Sequence, residues 1–205
     1  MNVVDYAKGF KETLSLIDNC GVLLKQANHE KTLAHVIKVS QAGVKIAHDY
    51  NLDKNKVEIA CYLHDISAII PRTDYVTLCE ASDIEVLAVE RKLPMLLHQK
   101  VSRLIAEEIF KITDAEILSA IEVHTTLKDK PSDIDMAVFI ADKLAWDQEG
   151  IPPFFDCVAQ SIKISLEKAC LGYINYCLEH EMIKIPHPML LAAKNDLERM
   201  LLDKH

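Results

Sequence analysis

Six residues of this chain could do chemistry together: His35, the adjacent pair His64 and Asp65, His98, His124 and Asp142. The pair closes the apolar run Ile59-Ala60-Cys61-Tyr62-Leu63. An imidazole and a carboxylate at the end of such a run are costly to bury uncompensated. The other four recur on apolar helical stripes. By i,i+3 and i,i+4 spacing, His35 aligns with Val39, Ala42 and Ile46, and His98 with Val101 and Ile105. His124 aligns with Ile117, Ala120 and Ile121, and Asp142 with Val138, Phe139 and Ala145. One inward histidine is ordinarily a satisfied core residue. Four inward polar residues beside a buried doublet point instead to bound metal, since a lone buried Asp142 needs a cation.

Successive members of the set lie as many as 34 residues apart, so their side chains come from different helices, as they do in the metal sites of helical bundles. Imidazole and carboxylate suit Fe, Mn, Co, Ni or Zn without selecting among them. Six protein ligands are too many for one catalytic ion that must keep open positions, so two ions are expected. His35, His64, Asp65 and Asp142 would hold one, and His98 and His124 the second, with Asp65 bridging. Two ions about 3.5–4 Å apart clamp a phosphate ester and lower the pKa of a bridging water, so that hydroxide attacks phosphorus in line. No Ser or Cys nucleophile is then required. His64 and Asp65 are catalytic on this reading.

The elements that must position these residues are helices. Half of the residues are apolar, Gly is scarce, and no strand alternation or internal repeat is visible. The pattern predicts one broken or two short helices over about 4–26, with Gly21 near the break, and helices over about 29–49 and from 54 into the doublet. Pro71 ends that region and Thr73-Asp74 starts a short helix. Pro94 opens the helix that carries His98. Thr113-Asp114-Ala115-Glu116 reads as a capping box for the helix ending near His124. A polar loop runs from Thr125 to Pro131, and Ser132 caps a helix to about Ala145. One long helix is expected over about 154–182, with the charge alternation from Lys163 to Lys168 on its solvated face. Pro186-His187-Pro188 separates it from a last helix. The whole, 1–205, reads as one all-α bundle with the metal site in its interior.

The net charge of −8 and the absence of a basic patch argue against a nucleic-acid polymer as partner. No apolar run is long enough to span a membrane, and the N-terminus lacks a signal-peptide pattern, so a cytoplasmic protein is expected. The six cysteines form no close pair and read as reduced core residues. Cys61, three positions before His64, is a minor metal-ligand candidate.

The order His…His-Asp…His…His…Asp resembles the HD-domain phosphohydrolase superfamily, and within it the bacterial symmetrical diadenosine tetraphosphate hydrolases of the YqeK type. The likeness covers about residues 30–195, behind a short N-terminal helical extension. Its markers are Leu63-His64-Asp65-Ile66, Leu97-His98-Gln99-Lys100-Val101, Val123-His124-Thr125-Thr126 and Phe139-Ile140-Ala141-Asp142-Lys143. The resemblance implies an all-helical HD fold, a di-iron or similar two-metal centre, and cleavage of diadenosine tetraphosphate into two ADP. Iron is the first expectation, with Mn, Co, Ni or Zn as alternatives. Members are often dimeric, so a homodimer is an expected assembly. The chain departs from the pattern at Thr32 and Ala68, where that family has Arg and Lys. It departs again in the loop Leu127-Lys128-Asp129-Lys130-Pro131 and in the segment after Asp142.

A small nucleotide is the expected substrate. Lys128 stands at the loop-Arg position as a catalytic, phosphate-binding cation. Lys100, Arg103 and Lys143 are candidates for the polyphosphate, and Trp146 for stacking on a base. Glu122 and Asp129 are candidate proton acceptors, and Asp147 a partner for a ligand histidine. His29, His48, His180, His187 and His205 read as structural or exposed. Two alternatives stay open: an HD phosphohydrolase of another nucleotide or phosphate ester, and a non-catalytic HD domain that binds a nucleotide and regulates.

Overall fold

A computed structural model describes residues 2–11, 15–146 and 148–203. Among these the chain forms eleven α-helices, a few short 3-10 turns and no strand. The helices are α1 (Leu16–Gln26), α2 (Glu30–Asp49), α3 (Lys54–Leu63), α4 (Tyr75–Ala81), α5 (Ala88–Lys92), α6 (His98–Glu108), α7 (Ala115–Val123), α8 (Asp133–Leu144), α9 (Phe155–Ser161), α10 (Leu166–Glu179) and α11 (Pro188–Leu202).

The helices that carry the six residues pack on one another: α2 against α3 and α8, α7 against α3, α6 and α8. Their shared core includes Val36, Val39, Ala60, Leu63, Val101, Ile105, Ile121, Val138 and Phe139, all fully buried. Each large aliphatic side chain so buried contributes about 1.5–3 kcal/mol. Gly43 sets how closely α2 and α3 approach. A Cβ there would lie 2.6 Å from Cys61 Sγ and 3.0 Å from Val57 Cγ1. That approach brings His35 of α2 beside His64 at the end of α3.

Local signals explain where these helices start. Asp53 caps α3 by accepting from the Asn55 and Lys56 amides, and Ser132 caps α8 in a reciprocal box with Asp135. At α7 the cap is Asp114, accepting from the Glu116 and Ile117 amides, rather than a box built on Thr113. Two expectations change. Gly21 lies inside α1, and the break falls before Leu16. The single helix over 154–182 is two, because the Ser165 hydroxyl accepts from the Lys168 amide and starts α10 afresh. The segment 163–168 is therefore no continuous solvated face: Glu167 is buried while Ile164 is 64% exposed. Asp147 and His205 lie outside the described residues.

Candidate metal centre

Helix ends build the site. His64 follows the last turn of α3, His124 follows the last turn of α7, and His98 opens α6. Carbonyls in a last helical turn have no intrahelical donor, and two of these histidines use them. His64 Nδ1 donates to Cys61 O at 2.7 Å and His124 Nδ1 to Ile121 O at 2.8 Å. His98 Nδ1 repeats the device on Met95 O at 2.6 Å, in the 3-10 turn before α6. In all three the bond runs to the carbonyl three residues back. With the Nδ1 hydrogen committed, each ring turns its Nε2 lone pair to a common centre, as metal-ligating histidines do.

Asp65 sits between two groups of these rings. Its Oδ2 lies 3.6 Å from His64 Nε2 and 3.9 Å from His35 Nε2, while its Oδ1 lies 3.6 Å from both His98 Nε2 and His124 Nε2. Asp142 completes the first group, with Oδ1 3.1 Å from His35 Nε2 and 3.6 Å from His64 Nε2. Its other oxygen takes the Lys143 ammonium at 2.6 Å.

This arrangement suits metal ions. His64 is fully buried, and its Nε2 has no hydrogen-bond partner. His98 Nε2 and His124 Nε2 face each other at 2.9 Å with both Nδ1 hydrogens already engaged. Two facing lone pairs require a positive charge between or beside them. The triads His35, His64, Asp142 and His64, Asp65, His124 each bring three donor atoms within reach of one ion. An imidazole and carboxylate set of this kind implies metal ions and leaves the element open.

The electrostatics agree. Burial opposes ionisation of Asp65, but His64, His124 and His98 outweigh it and hold its carboxyl far below the usual range. Asp142 is likewise held low against burial by Lys143, His35 and His64. Burial also disfavours charge on His64, yet Asp65 and Asp142 lift its pKa to about 9: the two carboxylates favour a positive charge at Nε2, a proton when no metal ion takes that place. His124 falls to about 4, because burial and the neighbouring His64 and His98 outweigh Asp65. Cys61 lends its carbonyl to His64, while its sulfur lies against Gly43 of α2 and burial, reinforced by Asp142, pushes the thiol up.

The expected substrate cations lie elsewhere or are already paired. Lys100 is buried, 2.9 Å from Glu90 and donating to Glu85 O, on the face of α6 away from His98. Arg103 pairs with Glu122 at 3.3 Å, which also engages that candidate proton acceptor. Lys128 donates to Ser119 Oγ at 2.6 Å and lies 3.2 Å from the buried Asp135, so it closes the start of α8. Asp129 is exposed on the same loop. Lys143 reaches the site, but its ammonium serves Asp142 and the His124 carbonyl, over the Phe139 ring. Trp146 packs edge-on against Phe154 at 5.7 Å, in an aromatic group with Tyr173 and Tyr176. Lys100, Arg103, Lys128 and Lys143 each meet a carboxylate and Trp146 meets aromatic rings, pairings that the sequence pattern does not show.

Other residues emerge. Gln99 binds the start of α6 to the end of α7: its Oε1 accepts from the Thr125 amide and its Nε2 donates to Thr126 Oγ1. The Thr125 hydroxyl lies 3.0 Å from His98 Nε2. A cleft of about 580 Å³ opens onto Asp65 and His98, lined also by His29, Thr32, Ala68, Arg72, Tyr75 and Met95. Asp65 exposes 30% of its side chain, whereas His64 and His124 are sealed behind it. Thr32 and Ala68, two positions at which the chain departs from the sequence resemblance, both face this cleft.

A helical bundle whose interior holds clustered imidazoles bridged by a carboxylate, open on one side to a cleft, is that of a metal-dependent hydrolase. The HD domain model matches residues 32–147, more than half of the chain, and the chain belongs to that family of phosphohydrolases. It is 41% identical over 150 residues, 73% of this chain and 76% of the relative, to an uncharacterized protein in the pepC 5′ region of Lactococcus lactis subsp. cremoris. It is 28% identical over 137 residues, 62% of this chain and 64% of the relative, to a symmetrical bis(5′-nucleosyl)-tetraphosphatase of Staphylococcus aureus. A crystal structure described as a predicted HD superfamily hydrolase involved in NAD metabolism, from Clostridium acetobutylicum, is similar with a TM-score of 0.81. It is 25% identical, and the match covers 89% of this chain and 97% of that one. Among the described residues no helix is long and apolar enough to cross a membrane.

Proposed function

We propose that this chain hydrolyses nucleotide phosphoanhydrides at a two-metal centre, with symmetrical cleavage of diadenosine tetraphosphate to ADP as the leading activity. The observation that carries the reading is Asp65, whose two oxygens face two different histidine groups. On this reading His35, His64, Asp65 and Asp142 hold one ion, and His98, His124 and Asp65 the other. A bound pair of divalent ions, iron being the first choice, would supply charge for the phosphoryl oxygens and acidify water. The residues do the rest: three carbonyl-locked histidines fix the donor atoms, Lys143 restrains the free oxygen of Asp142, and the exposed side of Asp65 leaves the cleft open to substrate. The tetraphosphatase name of relatives at 23–28% identity supports this substrate.

A second reading, a smaller nucleotide, is favoured by the pairing of Lys100, Arg103, Lys128 and Lys143 with carboxylates. A tetraphosphate chain needs more positive charge than those pairs leave free. The test is hydrolysis by metal-loaded protein, with products separated by anion exchange. ADP as the sole product from diadenosine tetraphosphate supports the first reading. Turnover of other nucleotides with that dinucleotide untouched supports the second, and no turnover of any with metal bound removes both.

A further inference from the structure

The cleft beside Asp65 is uneven in charge. Its volume of about 580 Å³ lies within the range of about 300–1,000 Å³ typical of small-molecule sites. Ala68, Ile69, Ile70, Pro71, Tyr75 and Met95 make much of its wall apolar. Tyr75 is held there by its hydroxyl, which donates to Ser67 O at 3.0 Å. Arg72 is the lining residue with a permanent positive charge. It opens a short 3-10 turn, and its side chain is exposed. The acid nearest in sequence, Asp74, is engaged elsewhere: it accepts from the Tyr6 hydroxyl at 2.5 Å and from Thr73 Oγ1 at 3.1 Å. Among the described residues no ion pair holds Arg72, in contrast to Lys100, Arg103, Lys128 and Lys143.

We propose that Arg72 determines specificity by taking the phosphate next to the one cleaved, so that the site selects nucleotides with two or more linked phosphates over simple phosphate monoesters. The inference rests on the nucleotide-hydrolase reading above. The attacked phosphorus belongs at the Asp65 and His98 end of the cleft, where the metal donors are. A lone phosphoryl group is fully used there and offers nothing to the wall. A linked phosphate extends past Asp65, and Arg72 is the permanently charged side chain of the wall available to it. A planar guanidinium binds such a group through two parallel N–H donors, which a lysine cannot reproduce. Short, uncharged Thr32 and Ala68 leave the approach open, and the apolar wall suits the nucleoside that follows.

Calorimetry on the metal-loaded full chain separates this role from a general effect of charge, with ADP and inorganic phosphate as probes. Arg72→Ala should weaken ADP by about 10- to 100-fold and inorganic phosphate far less, with Arg72→Lys in between. The ratio of kcat/KM for diadenosine tetraphosphate to that for p-nitrophenyl phosphate should fall in parallel. Equal losses on both probes, an unchanged ADP affinity, or no ADP binding by the unsubstituted protein would overturn the assignment. Arg72-dependent ADP binding in a protein that hydrolyses no nucleotide would sustain Arg72 and reject the hydrolase reading.

Discussion

Two clusters of charge among the described residues are opposites. Around Glu90 every group is answered. Its carboxylate accepts from Lys100, from His187 Nε2 at 3.4 Å and from the Leu87 amide. Lys100 also donates to Glu85 O, and His187 Nδ1 accepts from the Met189 amide at the start of α11. Around Asp65 the set is incomplete: the buried His64 Nε2 and His35 Nδ1 have no partner, and His98 and His124 face each other through their Nε2 atoms. Both clusters carry shifted ionisations, so a shifted pKa does not distinguish them. Completeness does. The closed cluster pins α11 to α5 and α6, whereas the open one is ready for something the chain does not itself supply.

Substitutions should split the two clusters. The largest effect is expected at the open one: Asp65→Asn removes the charge shared by both histidine groups. Bound metal by elemental analysis and turnover should both fall by more than the roughly 10- to 100-fold that follows loss of an outer partner of a metal ligand, while the protein stays folded. Retained metal and rate would erase the contrast. At the closed cluster Glu90→Gln should lower stability by about 3–5 kcal/mol, since it leaves Lys100 buried and unpaired, and Glu90→Leu with Lys100→Met should recover most of that. Thermal unfolding measures both, and metal content should not change. Gly43→Ala lies between the clusters in character. Overpacking against Cys61 and Val57 should cost about 1–3 kcal/mol and should also lower metal content, because α2 and α3 move apart with His35 and His64.

The smallest effect is acid sensitivity. Burial alone would raise the pKa of Glu90, but His187, Lys100 and the Leu87 amide outweigh it and hold the carboxyl below its ordinary value of 4.5. A depressed folded pKa means stability that is present above about pH 4.5 and lost as pH falls through the lower folded value. Denaturant unfolding across pH 5 to 3 should show this slope in the unsubstituted chain and a shallower one in Glu90→Gln. Parallel slopes would assign the acid response to other carboxylates.

Much of the fold was legible in the sequence. The helices carrying His35, His64, His98, His124 and Asp142 follow from apolar periodicity, and the caps at Asp53 and Ser132 from local side-chain chemistry that acts within three residues. The split between α9 and α10 was not, because the Ser165 cap competes with helix continuation and periodicity does not register that competition. The six donor-bearing residues that converge were legible because polar groups on or beside apolar stripes are conspicuous. Arg72 and His29 were not: each sits in a turn or at a helix start with no periodic signal, and only folding brings them to one cleft. Gln99 and Thr125 were present in the motifs, but their contact spans 26 residues.

By itself, then, the sequence determined the class of the chemistry: donor types on inward faces of separate helices, each face fixed by a repeat of 3.6 residues. Tertiary structure alone decided how the charges pair. It divided the donors around the two oxygens of Asp65, and it gave Lys100, Arg103, Lys128 and Lys143 to carboxylates while, among the described residues, it gave Arg72 none. The physical reason is range. Periodicity and capping act within a few residues along the chain, whereas an ion pair depends on separation in space, and Glu90 and His187 meet across 97 residues.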